Sequence, residues 1–450
     1  MSARRPISSL SWRRTDGAEM IVRGARVLDP RAGIDAVRDI VIRQGEIIEV
    51  AEPGSAGAEG LESVDGQGML ALPAFFDPHV HLRVPGHEHK EDLETGTRAA
   101  AAGGFCGVLA MPNTDPPVDG APAVEALRRR AEREGSVPVG FLASITRAIA
   151  GNELTEMAEL REAGAVGFSD DGWPLTSARV LRRALQYQKL VGGVIALHEE
   201  DPELSGDGAM HEGPVSAALG LAGIPSVSES TMIARDAALA AYEGARVHVL
   251  HLSARESVQA VARAKDAGTR ITSEVTPHHL TLTDEAVRGL DARFKMNPPL
   301  RSEEDRLALI EGLRSGVIDC VATDHAPHAP EEKEVPFEEA AMGVTGLETA
   351  FGVLYTELVI PGVLDLELVV ERMTAGAAAF GFDTPSLEPG SEANVVLIDP
   401  EAEWEAGNQG WESRSENSCF AGRRLRGRVL MTIAAGQVAY RQRSFAMGVA

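Results

Sequence analysis

The chain has 450 residues, of which 44% are hydrophobic, enough for one large core and a smaller satellite. Its 43 basic and 67 acidic residues give a formal net charge of -24, which argues against nucleic acid or an anionic membrane as a partner because phosphate binding needs clustered positive charge. The three cysteines are too few and too scattered for a disulfide framework or a thiolate zinc site, which favours a reducing cytoplasm, and no apolar run approaches the length of a membrane span, about 20 residues.

The two ends of the chain share one pattern. Residues 1–19 are basic and polar, lack the apolar stretch of a secretory signal, and predict a disordered extension. Residues 20–70 alternate short apolar segments with Gly, Asp and Pro, which predicts a small β-rich module, and residues 386–450 read the same way. We interpret them as the two parts of one discontinuous β-sandwich domain. The pattern leaves open whether translation starts at Met20.

Residues 71–385 have a different rhythm, in which apolar strands alternate with alanine-rich helices. This is the βα pattern of a parallel sheet, with helices predicted over 124–135 and 256–268. A polar loop over 329–345 is a candidate lid. Eight strands suit a closed (β/α)₈ barrel of the TIM type, and the eight candidates are LALPAFFDP, GFCGVLAMP, VPVGFLASI, AVGFSDD, GGVIALHEE, ARVHVLHLS, RITSEVTPH and VIDCVATDH.

All twelve histidines lie between His79 and His328. Several of them stand where a predicted strand ends, and in such a barrel the active site lies at the carboxyl ends of the strands. His79 and His81 are two residues apart and therefore point to the same side of the chain, so they can bind one metal. Taken alone, the pair is equally compatible with two hydrogen-bonded histidines near the surface.

Four further strand ends carry a histidine or an aspartate. Each has an ordinary alternative, since Asp170 and Asp171 could cap a helix and a single histidine is more often a core residue. Their recurrence around one barrel changes the balance, because strand ends that are far apart in sequence meet in space. Nitrogen and oxygen ligands of this kind suit zinc or a similar divalent ion. The candidates are Asp171, His198, His251 and Asp324.

From about residue 20 onward the chain resembles the dihydroorotases, in the bacterial type whose two zinc ions are bridged by an aspartate. The resemblance rests on HVHLRVPG, GFCGVLAMPNT, FSDDG, HEGP, KMNPPLR, ATDHAPH and GLETAF. It implies a distorted (β/α)₈ barrel with a β-sandwich built from both chain ends. By alignment it also implies a first zinc on His79, His81 and Asp324, a second on His198 and His251, and a bridge at Asp171, with Asp170 as the alternative.

The same resemblance separates this chain from hydantoinases, allantoinases and other dihydroorotases, which bridge their metals with a carboxylated lysine on the fourth strand. The segment AVGFSDDG contains no lysine. The expected reaction is therefore the reversible closure of N-carbamoyl-L-aspartate to L-dihydroorotate in pyrimidine biosynthesis, with Asp324 moving the proton.

Dihydroorotate carries a carboxylate, so an acidic protein must hold it with local donors. Arg83 lies on the same side of the chain as His81 and offers a planar fork, although a surface salt bridge is the ordinary reading of such an arginine. The resemblance adds contacts from Asn113, Asn297 and His328, and from His81 itself. It also adds the backbone of Met342 and Gly343, where the family often has PFG and this chain has AAMG.

Two other functions remain open from the sequence. A hydantoinase or allantoinase would act on a different ring, and a non-catalytic relative would serve as a scaffold for aspartate carbamoyltransferase. Such scaffolds have lost metal ligands, whereas all six candidates are present here. A homo-oligomer, with aspartate carbamoyltransferase as a partner, is an expectation that the resemblance carries for the active enzyme as well.

Overall fold

The computed structural model describes residues 4–446, and its centre is a sheet of eight parallel strands that pair in sequence order. We number them as the first to the eighth barrel strand. They are Phe75–Val80, Phe105–Ala110, Val139–Ala143, Gly167–Ser169, Ile195–Leu197, Arg246–Val249, Arg270–Val275 and Cys320–Val321. The barrel fold is confirmed, and each of the eight predicted strands contains a barrel strand, although the first half of LALPAFFDP, Leu70–Pro73, belongs to the second sheet.

The barrel closes where the first strand meets the chain that follows the eighth. Val80 and His325 form a parallel bridge, and the backbone N–H of His81 donates to the carbonyl of His325 at 2.9 Å. The seam therefore lies at the carboxyl ends of the strands, next to the residues predicted to bind metal. Closure of the barrel and assembly of that site depend on the same few hydrogen bonds.

Helices cover the outside of the barrel, and their ends follow local rules. The helix Glu303–Ser315 begins at Ser302, whose hydroxyl accepts from the N–H of Asp305 while the Asp305 carboxylate accepts from the N–H of Ser302. The longer helices, with five or more residues, are Leu93–Ala102, Ala121–Glu134, Met157–Glu162, Ala178–Val191, Pro214–Leu219, Val227–Glu243, Arg255–Asp266, Pro277–Thr281, Glu303–Ser315, Ala350–Leu354 and Leu366–Thr374.

The short elements are mostly single turns between these. They are the helices Pro202–Ser205, Pro330–Lys333, Gly376–Ala379 and Arg443–Ala446, the 3₁₀ turns Ile7–Ser9, Arg147–Ile149, Asp284–Gly289 and Ala292–Phe294, the π-turn Tyr355–Val359, and the strand pair Met210–His211 and Gly223–Ile224.

A second, mixed sheet joins the two ends of the chain. Leu70–Pro73, from the N-terminal part, pairs antiparallel with the start of Val395–Glu405, from the C-terminal part. Both ends therefore belong to one small β unit, while the domain bounds 20–70, 71–385 and 386–450 stay predictions. Its strands are Met20–Asp29, Ile34–Arg43, Glu46–Ala51, Glu62–Asp65, Leu70–Pro73, Val395–Glu405, Arg424–Ala434 and Gln437–Arg441.

The N-terminal segment differs from the predicted disordered extension, of which residues 1–3 lie outside the described part. Ser11 pairs with Val139 at the start of the third barrel strand, through two backbone hydrogen bonds of 3.1 and 2.9 Å. Ile7, Leu10 and Trp12 are buried. The physical reason is that these three apolar side chains within a polar segment cover the end of the barrel opposite the predicted site.

The cysteines and the helices bear on two expectations from composition. Cys106, Cys320 and Cys419 are buried free thiols. Among residues 4–446, no helix is both long and apolar enough to cross a membrane.

Substitution of Ile7 tests whether the N-terminal segment is docked. The side chain is 1% exposed and belongs to the main apolar cluster, so Ile7→Ala is expected to lower the free energy of unfolding by about 2–5 kcal/mol. Ser9→Ala, on the exposed side of the same turn, is the matched control and should stay within about 0.5 kcal/mol of wild type. Urea denaturation measures both, and equal stabilities of the two variants would contradict the docking.

Candidate metal centre

The six predicted ligands all lie at the carboxyl ends of barrel strands, and all are buried. His79 is in the first strand with His81 just beyond it, and the others follow the fourth, fifth, sixth and eighth strands. Strands far apart in sequence thus bring their polar ends to one place, as the motif spacing predicts. The four that follow later strands are Asp171, His198, His251 and Asp324.

The Asp171 carboxylate lies between two pairs of imidazoles. Its Oδ2 is 3.7 Å from Nε2 of His79 and 3.4 Å from Nε2 of His81. Its Oδ1 is 3.6 Å from Nδ1 of His198 and 3.7 Å from Nε2 of His251. Each oxygen therefore faces one pair, which is the arrangement of a carboxylate shared by two cations.

The neighbouring Asp170 faces the other way. Its Oδ1 accepts from the backbone N–H groups of Ile145 at 2.7 Å and Thr146 at 3.1 Å, and its Oδ2 accepts from the Thr146 hydroxyl. Asp170 thus fastens the turn after the third strand. Because successive residues point to opposite sides of an extended chain, only Asp171 reaches the imidazoles.

Asp324 completes the first group of donors. Its Oδ1 lies 3.1 Å from Nε2 of His81 and 3.5 Å from Nε2 of His79. In the second group, Nδ1 of His198 and Nε2 of His251 are 2.9 Å apart. The structure therefore brings together all six residues that the sequence predicts as ligands.

The donor atoms fit divalent cations by geometry. Among the described residues, Nε2 of His79 and Oδ1 of Asp171 are buried and have no hydrogen-bond partner, which is costly for polar atoms unless a ligand satisfies them. Nitrogen and oxygen ligands at zinc distances lie about 3.3 Å from one another in a tetrahedral site. Separations of 2.9 to 3.7 Å between these donors are close to that value.

The charges of the centre also suit cations. Burial alone would raise the pKa of Asp171, but the imidazoles of His79, His198 and His251 hold it well below its usual range. Burial acts on Asp324 in the same way, and His79 and His81 again keep its pKa low. Both carboxylates stay ionised. A divalent cation bound between these groups would supply the positive charge that the two carboxylates need.

A second layer of residues orients the imidazoles. Three of the four rings bind a carboxylate or amide oxygen through the nitrogen that points away from the centre, an arrangement that fixes ring orientation and tautomer in metal sites. The pairs are His79 Nδ1 with Glu274 Oε1 at 2.6 Å, His81 Nδ1 with Asn113 Oδ1 at 2.9 Å, and His198 Nε2 with Glu200 Oε2 at 3.1 Å.

Sequence reasoning missed two of these partners. Glu200 stands two residues after His198 in the segment HEED. In an extended chain the two side chains point to the same side, and this spacing could have identified Glu200 as a partner of His198. Glu274 lies within the seventh strand, where only the fold shows that its side chain points into the barrel. Asn113, predicted as a substrate contact, also donates to Oδ2 of Asp171 at 3.3 Å.

The predicted substrate residues fall on two sides of the centre. Arg83 donates from Nε to the carbonyl of Pro327 at 3.0 Å, and its Nη2 lies 3.3 Å from Nε2 of His328. That ring nitrogen is 3.0 Å from the carbonyl of Met342, which joins these residues into one wall. Asn297 lies on the other side and donates to Oε2 of Glu200 at 2.7 Å.

The backbone at Gly343 fits tightly into that wall. Its φ is 140°, and a Cβ added there would lie 2.8 Å from Cβ of Ala326 and 3.0 Å from Nε2 of His328. Asn417, from the C-terminal part of the chain, donates to the carbonyls of Ala326 and Gly343 and accepts from the N–H of His328. Glycine is required here by space as well as by conformation.

The polar loop that the sequence marks as a lid is anchored at its base. Lys333 is buried, and its Nζ donates to the carbonyls of Ala292 at 2.9 Å, Lys295 at 3.0 Å and Ala341 at 2.7 Å. The N–H of Gly343 donates to the carbonyl of Lys295 at 3.0 Å. These bonds hold the end of the loop that carries the predicted substrate contacts.

Three site residues adopt backbone angles that are unfavourable for L-amino acids. Arg83, His251 and Asp324 have φ values of 58°, 29° and 48°. Side chains in this region of φ cost free energy, and such residues cluster at functional sites where the surrounding structure holds them.

Known proteins match this chain over nearly its whole length. Residues 68–257 fit the family model described as dihydro-orotase-like. The dihydroorotase of Geobacter sp. strain M21 is 45% identical over 94% of this chain and 99% of its own length. That of Pelotomaculum thermopropionicum is 46% identical over 94% of this chain and 99% of its own. The chain belongs to the dihydroorotase family.

Two solved structures share the fold of this dihydroorotase family member. The L-hydantoinase of Arthrobacter aurescens superposes with a TM-score of 0.84 at 26% identity, over 94% of this chain and 96% of that one. The dihydropyrimidinase of Brevibacillus agri superposes with a TM-score of 0.81 at 22% identity, over 94% and 95% of the two chains, which shows the fold alone.

An isosteric pair of substitutions tests the assignment of the bridge. Asp171→Asn is expected to remove at least one bound metal ion per chain, because a neutral amide cannot offer two anionic oxygens. Asp170→Asn is the matched control and should keep the wild-type metal content, since its side chain faces backbone N–H groups. Metal analysis of the purified, metal-reconstituted variants measures this. Loss of metal in Asp170→Asn, with metal retained in Asp171→Asn, would contradict the assignment of the bridge to Asp171 and favour Asp170.

Proposed function

We propose that this chain is a dihydroorotase, which closes N-carbamoyl-L-aspartate to L-dihydroorotate with loss of water and opens the ring in the reverse direction, a step of pyrimidine biosynthesis. The family relationship supports this reaction over nearly the full chain. The observation that carries it is the Asp171 carboxylate, with one pair of imidazoles on each oxygen. A small-molecule substrate follows from the reaction.

The proposed cofactor is two zinc ions per chain. His79, His81 and Asp324 would hold one, His198 and His251 the other, and Asp171 both. When bound, such ions polarise a carbonyl and lower the pKa of water toward neutrality. The fit rests on the unpartnered buried atoms and the donor separations described above.

Asp324 is the proposed catalytic residue. Its carboxylate lies at the centre of the site, with Oδ1 3.1 Å from Nε2 of His81 and 3.5 Å from Nε2 of His79, so it is placed beside the water that the proposed ions would activate. In ring opening it takes a proton from the attacking water and delivers it to the departing ring nitrogen. In ring closure it takes the proton of the attacking ureido nitrogen and delivers it to the oxygen that leaves as water. Its position is fixed by the barrel seam, because the next residue, His325, forms the bridge to Val80.

The substrate carboxylate is assigned to Arg83. One edge of its guanidinium, Nε and Nη2, is held by Pro327 and His328, and within residues 4–446 no hydrogen bond of Nη1 is seen, so Nη1 can bind an anion without a large loss of side-chain entropy. This guanidinium supplies the local positive charge that an anionic substrate needs in a protein whose net charge is negative. The other proposed substrate contacts are His81, Asn113, Asn297, His328, and the backbone of Met342 and Gly343.

Two alternatives differ from this proposal in specific ways. A hydantoinase would be expected to carry a lysine on the fourth strand, where Gly167–Ser169 is followed by Asp170 and Asp171. A scaffold without activity would be expected to lack ligands, whereas all six converge here. Aspartate carbamoyltransferase as a partner, and a homo-oligomeric state, stay predictions.

Substrate choice tests the proposed reaction. Metal-reconstituted protein is expected to close the ring of N-carbamoyl-L-aspartate at least about 100 times faster than it opens the ring of hydantoin or allantoin. The reason is that a polar site that pairs with a substrate carboxylate rejects analogues without a carboxylate by about 10²-fold or more. The decrease in carbamoyl aspartate and the absorbance of dihydroorotate measure it.

Protein that contains two metal ions per chain and turns over only hydantoin or allantoin would contradict the ring specificity. Protein that contains both ions and turns over none of the three compounds would contradict the proposed enzymatic activity.

Arg83→Met tests the assignment of the substrate carboxylate to Arg83. Loss of a charged hydrogen bond should reduce kcat/KM for carbamoyl aspartate by about 10- to 100-fold.

A further inference from the structure

A buried acidic residue on the seventh barrel strand lies outside the proposed ligand set. Glu274 belongs to Arg270–Val275, and it lies on the same side of the strand as Thr272, two residues earlier, since both side chains contact His248. Glu274 has no exposed surface. A carboxylate in a closed interior is costly unless every oxygen is paired, so its retention needs a physical reason.

The two oxygens of Glu274 reach different parts of the centre. Oε1 lies 2.6 Å from Nδ1 of His79 and accepts from the backbone N–H of His251 at 3.3 Å. Oε2 lies 2.9 Å from Nε2 of His248, whose Nδ1 is 2.8 Å from the hydroxyl of Thr272. One carboxylate thus contacts a proposed ligand of each zinc ion.

The donor and acceptor of each hydrogen bond around Glu274 can be assigned. A carboxylate only accepts, so His79 donates from Nδ1 and His248 donates from Nε2. When both imidazoles are neutral, the form in which His79 would bind a metal, the lone pair of His79 lies on Nε2, which faces Asp171 and has no hydrogen-bond partner among the described residues. His248 keeps a lone pair on Nδ1, which accepts from the Thr272 hydroxyl. Each of these hydrogen bonds then has one donor and one acceptor, and the tautomer of His79 is the one that can bind a cation.

The contact with His251 has a different effect. His251 has a φ of 29°, an unfavourable backbone conformation for a histidine. Its N–H donates to Oε1 of Glu274, which helps to hold that conformation at the turn after the sixth strand. The side chain of His251 can then reach Oδ1 of Asp171.

We infer that Glu274 is a positioning residue for both halves of the metal centre, which sets the tautomer of His79 and holds the backbone of His251, while His248 and Thr272 orient Glu274 itself. This inference rests on the proposed function, because it assigns Glu274 a role toward the proposed zinc ions. It predicts an effect on metal affinity that is separate from any effect on folding.

A competing interpretation is a further metal site in the barrel interior. Donor atoms of His248, Glu274 and Cys320 lie within 4.8 Å of one another. Against it, both oxygens of Glu274 already accept hydrogen bonds, and burial raises the pKa of the Cys320 thiol well above its usual range, whereas a metal needs the thiolate. The two interpretations differ in what Cys320 does.

The test compares zinc affinity across matched variants, by competition with a chromophoric chelator, with cobalt substitution as a spectroscopic readout. Glu274→Gln is expected to weaken zinc binding by about 10- to 100-fold, because an amide can donate to His79 and favour the wrong tautomer, and to change the visible spectrum of the cobalt form. Thr272→Val should act in the same direction with a smaller effect. Cys320→Ala should keep the wild-type zinc affinity.

A fold control separates positioning from stability. Asp29 is equally buried in the small β unit, where its carboxylate accepts from Ser386, Leu387, Arg31 and Ala32. Asp29→Asn should lower the urea midpoint of the metal-free protein and leave zinc affinity unchanged.

Wild-type zinc affinity in Glu274→Gln would overturn the inference, as would loss of a bound ion in Cys320→Ala. Wild-type protein that binds no zinc at all would overturn the proposed cofactor first, so the two failures are distinguishable. Weakened zinc binding in Glu274→Gln, with Cys320→Ala unchanged, would support the positioning role.

Discussion

The Asp171 carboxylate, placed between two pairs of imidazoles, is the interaction on which the site depends. Its oxygens face ring nitrogens from the first strand on one side and from the fifth and sixth strands on the other. Ionised carboxylates in a closed interior are unfavourable unless charge and hydrogen bonds compensate them, and here imidazoles and cations would do so together. The barrel makes this possible because it closes at the same edge, through the bridge between Val80 and His325.

A layer of hydrogen-bonding residues lies behind the proposed metal ligands. Glu274, Asn113 and Glu200 each take the outer nitrogen of one imidazole, so the rings have little freedom to turn. The proposed substrate contacts are supported from a distant part of the chain, because Asn417 donates to the carbonyls of both Ala326 and Gly343. The segment between Val395–Glu405 and Arg424–Ala434, which carries Asn417, therefore supports the site on the barrel.

The sequence predicted the barrel because apolar strands and alanine-rich helices alternate in a regular order, and because the ligand motifs stand where those strands end. It could not choose between Asp170 and Asp171 from local pattern, since both are polar and adjacent; the choice depends on which side of the chain faces the barrel axis. Resemblance chose Asp171, and the contacts of Asp170 with Ile145 and Thr146 give the reason.

Long-range contacts were beyond sequence reasoning. Glu274 meets His79 across 195 positions of the chain, and nothing in its own strand marks it as a partner of the centre. The N-terminal segment was misjudged for a related reason, because three apolar side chains among polar ones look like a solvated extension until the surface that they cover is known.

Anomalous diffraction from zinc-loaded crystals, recorded at the zinc absorption edge, tests the central claim most directly. The account predicts two peaks per chain, each within about 2.2 Å of a different Asp171 oxygen. One peak should lie beside His79, His81 and Asp324, and the other beside His198 and His251. A single peak, or two peaks that Asp171 does not join, would contradict it.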